Sequence, residues 1–168
     1  MPLMDSGLPA LSKRFLSDRE GDPYAWALQQ AALLRGETEW GRIDTGALAE
    51  FLEEWADEML AAVRSHLVNL MAHAAKAALS HNPDVIGHWR SECVEFHDRL
   101  IDLYRPSVRS RIDMPALWKR AGRKVAASFA DHGEPAPLFP ADCPFALDEP
   151  VAADLDVNWL VARVTARR

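Results

Sequence analysis

From Asp22 onward the chain strings together runs of helical period separated by short polar or proline-bearing breaks, and nowhere does it alternate as a strand would. Asp22 and Pro23 supply an N-cap and a first-turn proline. YAWALQQAALLR follows, with Tyr24, Leu28, Ala31 and Leu34 recurring on one face until Gly36 stops it. Beyond the polar connector GETEWGRI, Asp44 is placed to cap a second helix, and Ile43 and Leu48 occupy the two positions of a hydrophobic staple. Between Thr45 and about Ser80 nothing breaks the pattern after Gly46 in the first turn. So long a helix in a small protein is expected to be the central element. Asn82-Pro83-Asp84 opens a third helix with cap, proline and early acid. Its apolar positions Ile86, Trp89, Cys93, Phe96, Leu100 and Leu103 step by three and four, a seam narrow enough to lie along a partner helix. Tyr104-Arg105-Pro106 ends it, and SVRSRI adds one further turn. Asp113 then caps a fourth helix whose Trp118, Ala121, Val125 and Phe129 face inward until Gly133.

The remainder, EPAPLFPADCPFALDEP, holds too much proline for regular structure, and a short helix is expected around DVNWLVARV. The pattern therefore predicts an all-α fold: an antiparallel bundle of about four main helices around one long central helix, closed by a Pro-rich C-terminal latch. The organisation read from it is an N-terminal arm over 1–21, a single domain over 22–148 that includes the latch at 134–148, and a tail over 149–168. The latch reading rests on FPADCPF, residues 139–145. A Pro-x-x-Cys-Pro segment has little backbone freedom to lose on docking, and Phe139 and Phe145 each offer a large apolar face. Cys143 then acts as a small hydrophobe. A reactive thiol is the rival, but no base lies near it in sequence and Asp142 is adjacent, so nothing local favours the thiolate.

DPYAWALQQAALLR, LAEFLEE, RSHLVNLMAHAAK, HWR and FPADCPF occur in the order that marks the domain of unknown function 29 family, and the chain resembles that family from about Asp22 to Leu147. The closing Phe-Pro-x-x-Cys-Pro-Phe is the most specific piece. The chain departs from the family pattern at Ala77, where tryptophan is usual, and at Phe51, where an acidic pair is denser. The resemblance implies a small all-helical bacterial protein and supplies no activity.

Composition narrows the function classes. A chain of 168 residues can bury a core without staples. A net charge of −6 is unusual for a dedicated nucleic-acid binder. Cys93 and Cys143 form neither a disulfide framework nor a zinc set, which suits a reducing cytoplasm. The N-terminus has no apolar run of signal-peptide length. The most hydrophobic stretch, 59–79, carries Arg64, His66, Asn69, His73 and Lys76, so no membrane span is expected.

Charge is strongly segregated. Residues 44–58 hold Asp44, Glu50, Glu53, Glu54, Asp57 and Glu58 with no base, whereas 105–124 hold seven bases against Asp113 alone. The basic segment, through Arg109, Arg120, Arg123 and Lys124, is a candidate face for an acidic partner or, less favoured by the acidic total, for nucleic acid. Trp40 in a connector and Trp159 in the tail are candidates for contact with another chain. His66 and His73, seven apart, share one stripe of the long helix at about 10 Å, too far to share one ion. Glu50, Glu53, His73 and His97 are the only metal candidates, and no Glu-x-x-His pair of the kind found in helical metal sites occurs among them. Hydrogen bonding among such groups, fixing helix register, is the commoner outcome. No nucleophile elbow, phosphate loop or other catalytic motif occurs, and no cofactor is predicted. The sequence favours a non-enzymatic interaction module with an unidentified protein partner, homo-oligomers included. A metal-dependent helical-bundle hydrolase and nucleic-acid binding through 105–124 are the alternatives.

Overall fold

In a computed structural model of the chain, residues 19–36 and 45–166 are described. Trp40 and the Ile43–Asp44 cap and staple lie outside them. The elements are α1 (Pro23–Gly36), α2 (Thr45–Leu79), α3 (Pro83–Leu103), a 3-10 helix (Pro106–Arg111), α4 (Met114–Asp131) and α5 (Val157–Thr165). The protein is all-α, and the described residues contain no strand. The helix starts follow from local chemistry. Asp22 Oδ1 accepts from Ala25 N at 3.0 Å, Asn82 Oδ1 from Asp84 N at 3.0 Å, and Asp113 Oδ1 from Ala116 N at 3.0 Å. Each satisfies an amide that the helix itself leaves without a partner. Gly133, at φ 68, ends α4 in the left-handed region that costs glycine nothing.

The contacts group into two compact units, divided within α2 between Glu58 and Met59. In the first unit, α1 and the opening part of α2 are in contact. Ala27, Ala31, Ala49 and Ala56 are fully buried. Trp26 and Trp55 meet edge to face at 6.4 Å, and Arg35 pairs with Glu53, Nη2 to Oε2 at 2.7 Å. The buried face of α1 is Tyr24, Ala27 and Ala31, and Leu28 is exposed. The expected Tyr24–Leu28–Ala31–Leu34 stripe is therefore rotated towards the small residues, with Ala27 inside in place of Leu28.

The second unit holds the rest of α2 with α3, α4, α5 and the latch. Between Leu67 and Leu79, α2 buries Leu67, Val68, Leu70, Met71, Ala72, Ala74, Ala75, Ala77 and Leu79. Burial on nearly every side is the mark of a helix enclosed by its neighbours. On α3 the buried positions are Trp89, Cys93, His97 and Leu100, and Leu103 is exposed. The seam follows the 3.6-residue period into the histidine and leaves its predicted last member outside. His97 is accommodated because Nε2 reaches the Ala152 carbonyl at 2.8 Å. The extra turn expected over SVRSRI is the 3-10 helix PSVRSR, Pro106–Arg111, and Arg64 Nη2 on α2 donates to the Arg111 carbonyl at its end.

The latch docks on α4. Trp118 is fully buried, and its ring stacks on Phe139 with centroids 4.4 Å apart. It meets Phe145 edge-on at 5.7 Å, and its Nε1 donates to the Pro140 carbonyl at 2.8 Å. Phe145 is buried. Gly122, one turn after Trp118, lets Phe139 in: a Cβ there would lie 2.9 Å from Phe139 Cε1. Among the described residues no helix is long and apolar enough to cross a membrane.

Candidate functional site

The sequence of α4 divides the helix into two faces. Leu117, Trp118, Ala121, Val125 and Phe129 are buried, so Lys119, Arg120, Arg123 and Lys124 point outward. Among the described residues no acid pairs with Lys119, Arg120 or Arg123. Lys124 Nζ donates to Asn69 Oδ1 on α2 at 2.6 Å. Arg109, in the 3-10 helix, is held differently. Its guanidinium grips Asp148 with both terminal nitrogens, Nη2 to Oδ2 at 2.8 Å. That bond raises the arginine further and holds the Asp148 carboxyl below its usual range. Arg109 thus pairs with the last residue of the latch, while Arg120 and Arg123 remain open to solvent.

Beside this basic face runs a groove of about 340 Å³ between α4 and the latch. Gly122, Ala126, Phe139 and Ala141 contribute its apolar lining, and Lys119 and Arg123 stand on its rim. Trp159, 41% exposed on α5, carries the Arg163 guanidinium 5.9 Å from its ring.

A second group of polar side chains gathers where α2, α3 and α4 meet. His73 Nδ1 lies 2.9 Å from the Asn69 carbonyl. Its Nε2 lies 2.7 Å from Glu92 Oε2 on α3, and the ring stacks on Phe96 at 5.0 Å. Glu92 Oε1 approaches His88 at 3.6 Å. Lys76 sets its ammonium 5.2 Å from the Trp89 ring. Burial, and then the Lys76 charge, lower the His73 pKa, while Glu92 and the carbonyl bond oppose them without prevailing. Lys76 is itself lowered by burial. His66, tilted against Phe96 at 6.2 Å, is lowered by burial and by Arg99, and its buried Nδ1 has no hydrogen-bond partner. Cys93 is buried against the Leu70 carbonyl, and its thiol is pushed up to about 12 by burial. Such a thiol is inert.

The sign of the pH effect follows. Both histidines titrate lower in the folded protein than in the unfolded chain, so acid favours unfolding. Their contribution is complete above the ordinary histidine value of 6.5 and declines as pH falls through it towards the depressed folded values. Urea midpoints are expected to drop between pH 7 and pH 5, and to drop less in a His66→Gln variant. An unchanged pH profile in that variant would show that His66 is not held neutral by its surroundings.

Glu50 is exposed, Glu53 is paired with Arg35, His73 with Glu92 and the Asn69 carbonyl, and His97 with the Ala152 carbonyl. Among the described residues no three His, Cys, Asp or Glu side chains are placed to hold a metal ion. At the His73–Glu92 pair, the Lys76 and Lys124 charges also disfavour a further cation. Sequence reasoning missed Glu92 as the partner of His73. The one available signal was the four-residue spacing of His88 and Glu92, which puts both on one face of α3.

Residues 20–156 match the family described as Domain of unknown function DUF29. The chain belongs to the DUF29 family. This DUF29 chain is also similar to a solved structure of an alpha-helical protein of unknown function from Rhodospirillum rubrum. The two superpose with a TM-score of 0.82 at 25% identity, over 88% of this chain and 98% of the other. No curated protein matches the chain. The DUF29 region contains the basic face, the groove and the His73–Glu92 group, whereas α5 with Trp159 lies beyond it.

Proposed function

We propose that this DUF29 protein is a non-enzymatic interaction module, cytoplasmic, that takes an acidic protein segment on the outer face of α4 and in the groove beside it. One observation carries the reading: Lys119 and Arg123 stand exposed at the edge of an apolar groove, Arg120 is exposed on the same helix, and no acid is paired to any of the three among the described residues. A surface cation gains little from a surface acid alone, but a rim of cations around an apolar floor selects an acidic segment that carries a hydrophobic anchor. Fluorescence anisotropy with a labelled glutamate-rich peptide containing one phenylalanine tests it. Saturable binding that weakens with salt, and is lost in a Lys119→Glu/Arg123→Glu variant, is the expected result. A labelled generic DNA duplex serves as the second probe. Duplex binding without peptide binding would replace this reading with nucleic-acid recognition through Arg109, Arg120, Arg123 and Lys124. If neither probe binds, the α4 face is not the working surface.

A further inference from the structure

The acidic block at the start of α2 is as one-sided as the basic block of α4. Glu50, Glu54, Asp57 and Glu58 are exposed, and among the described residues none of them is ion-paired. Between them stands Phe51, 64% exposed, with Leu48 one turn earlier at 44%. An aromatic ring left in water on a helical turn flanked by carboxylates is the complement of an apolar groove flanked by cations. The groove beside α4 has that character: Gly122, Ala126, Phe139 and Ala141 in its lining, and Lys119 and Arg123 on its rim. Its volume of about 340 Å³ exceeds that of a phenylalanine side chain, and its mouth is open to solvent.

We infer that the groove's occupant is a second copy of this chain. The turn Leu48–Glu54 of one copy seats Phe51 in the groove of the other, and Glu50 and Glu54 face Lys119 and Arg123. This rests on the proposed function and names its partner. The contact joins two different surfaces, so made in both directions it closes a dimer and made in one direction it adds copies in a row. Ring burial supplies the attraction at short range, and the opposed charges set orientation and suppress the like-on-like alternatives. The same charges make the association sensitive to salt.

The test is a charge swap read by light scattering on the full chain over a range of concentrations. The wild type is expected to gain mass with concentration at low salt, with association weakened about tenfold or more at high salt. Glu50→Lys/Glu54→Lys and Lys119→Glu/Arg123→Glu each change only exposed residues, and each alone is expected to remain a monomer. Mixed together the two variants are expected to associate again, because each brings the charge the other lacks, and this recovery shows that both are folded. A wild type that stays monomeric at every concentration overturns the inference, as does association that persists in either variant alone. The labelled-peptide experiment separates the two ideas. Peptide binding by a strictly monomeric wild type leaves the basic face as an interaction site and removes the second copy as its partner.

Discussion

Truncating Trp118 to alanine is expected to cost about 4 kcal/mol, the range for removing a fully buried large aromatic side chain. Trp118 is 1% exposed, stacks on Phe139, meets Phe145 edge-on and donates its only polar hydrogen to the Pro140 carbonyl. One side chain therefore joins α4 to both ends of the Phe-Pro-x-x-Cys-Pro-Phe segment. Trp118→Phe keeps an aromatic surface but leaves the Pro140 carbonyl without its donor, and is expected to cost less, about 1–3 kcal/mol. Urea denaturation followed by circular dichroism reads the whole-chain effect. Limited proteolysis between 134 and 148 reads local release of the latch, which can precede global unfolding. A loss below about 1 kcal/mol with no new cleavage would show that the segment is not held by Trp118.

The latch was legible because its signal is local and stiff. Prolines fix the backbone, phenylalanines advertise burial, and the order of the two needs no knowledge of distant residues. The caps of α3 and α4 were legible for the same reason: a capping side chain bonds an amide two or three residues away, within one turn of chain. Which residues would be buried was less legible wherever the neighbour decided it. Leu28 is larger and more apolar than Ala27, yet Ala27 is inside and Leu28 outside, and size and hydropathy alone do not choose between two adjacent positions of one helix. His97 is inside because a carbonyl 55 residues later accepts its hydrogen bond, and Leu103 is outside because the helical period carries the seam past it. No window of sequence contains the Ala152 carbonyl and His97 together.

The candidate site divides in the same way. The outward cations of α4 follow from helical period and a buried tryptophan, so their exposure could be read directly. The groove beside them depends on where the latch crosses α4, which is a matter of tertiary packing. The His73–Glu92 pair needed the register of α3 against α2. Hydrogen bonding was expected of Glu53, His73 and His97, but the partners themselves, Arg35, Glu92 and the Ala152 carbonyl, lie on other elements and could not be named. Composition identified the residue types, and packing chose their partners.

Gly122→Ala is expected to change sign with the residue at 139. A glycine inside a helix costs about 0.5–1 kcal/mol relative to alanine, so on an open helix face the substitution stabilises. Here the new methyl would sit 2.9 Å from Phe139 Cε1 and 3.0 Å from Cδ1, closer than carbon atoms tolerate. The ring cannot yield freely, since its other face is stacked on Trp118 at 4.4 Å. Overpacking of this kind costs about 1–3 kcal/mol, which exceeds the gain in propensity, so Gly122→Ala should destabilise the wild type. In a Phe139→Ala background the obstacle is gone, and the same change should stabilise by the full helix increment. The double-mutant cycle then gives a coupling energy of about 2 kcal/mol or more, well above the additivity expected of independent sites. The two effects are read as urea midpoints with unchanged slope, so a shift in the unfolded state is not mistaken for packing. Equal stabilisation in both backgrounds would mean that the Phe139 ring does not rest on Gly122. The groove between latch and helix, and the partner contact inferred for it, would then lose their wall.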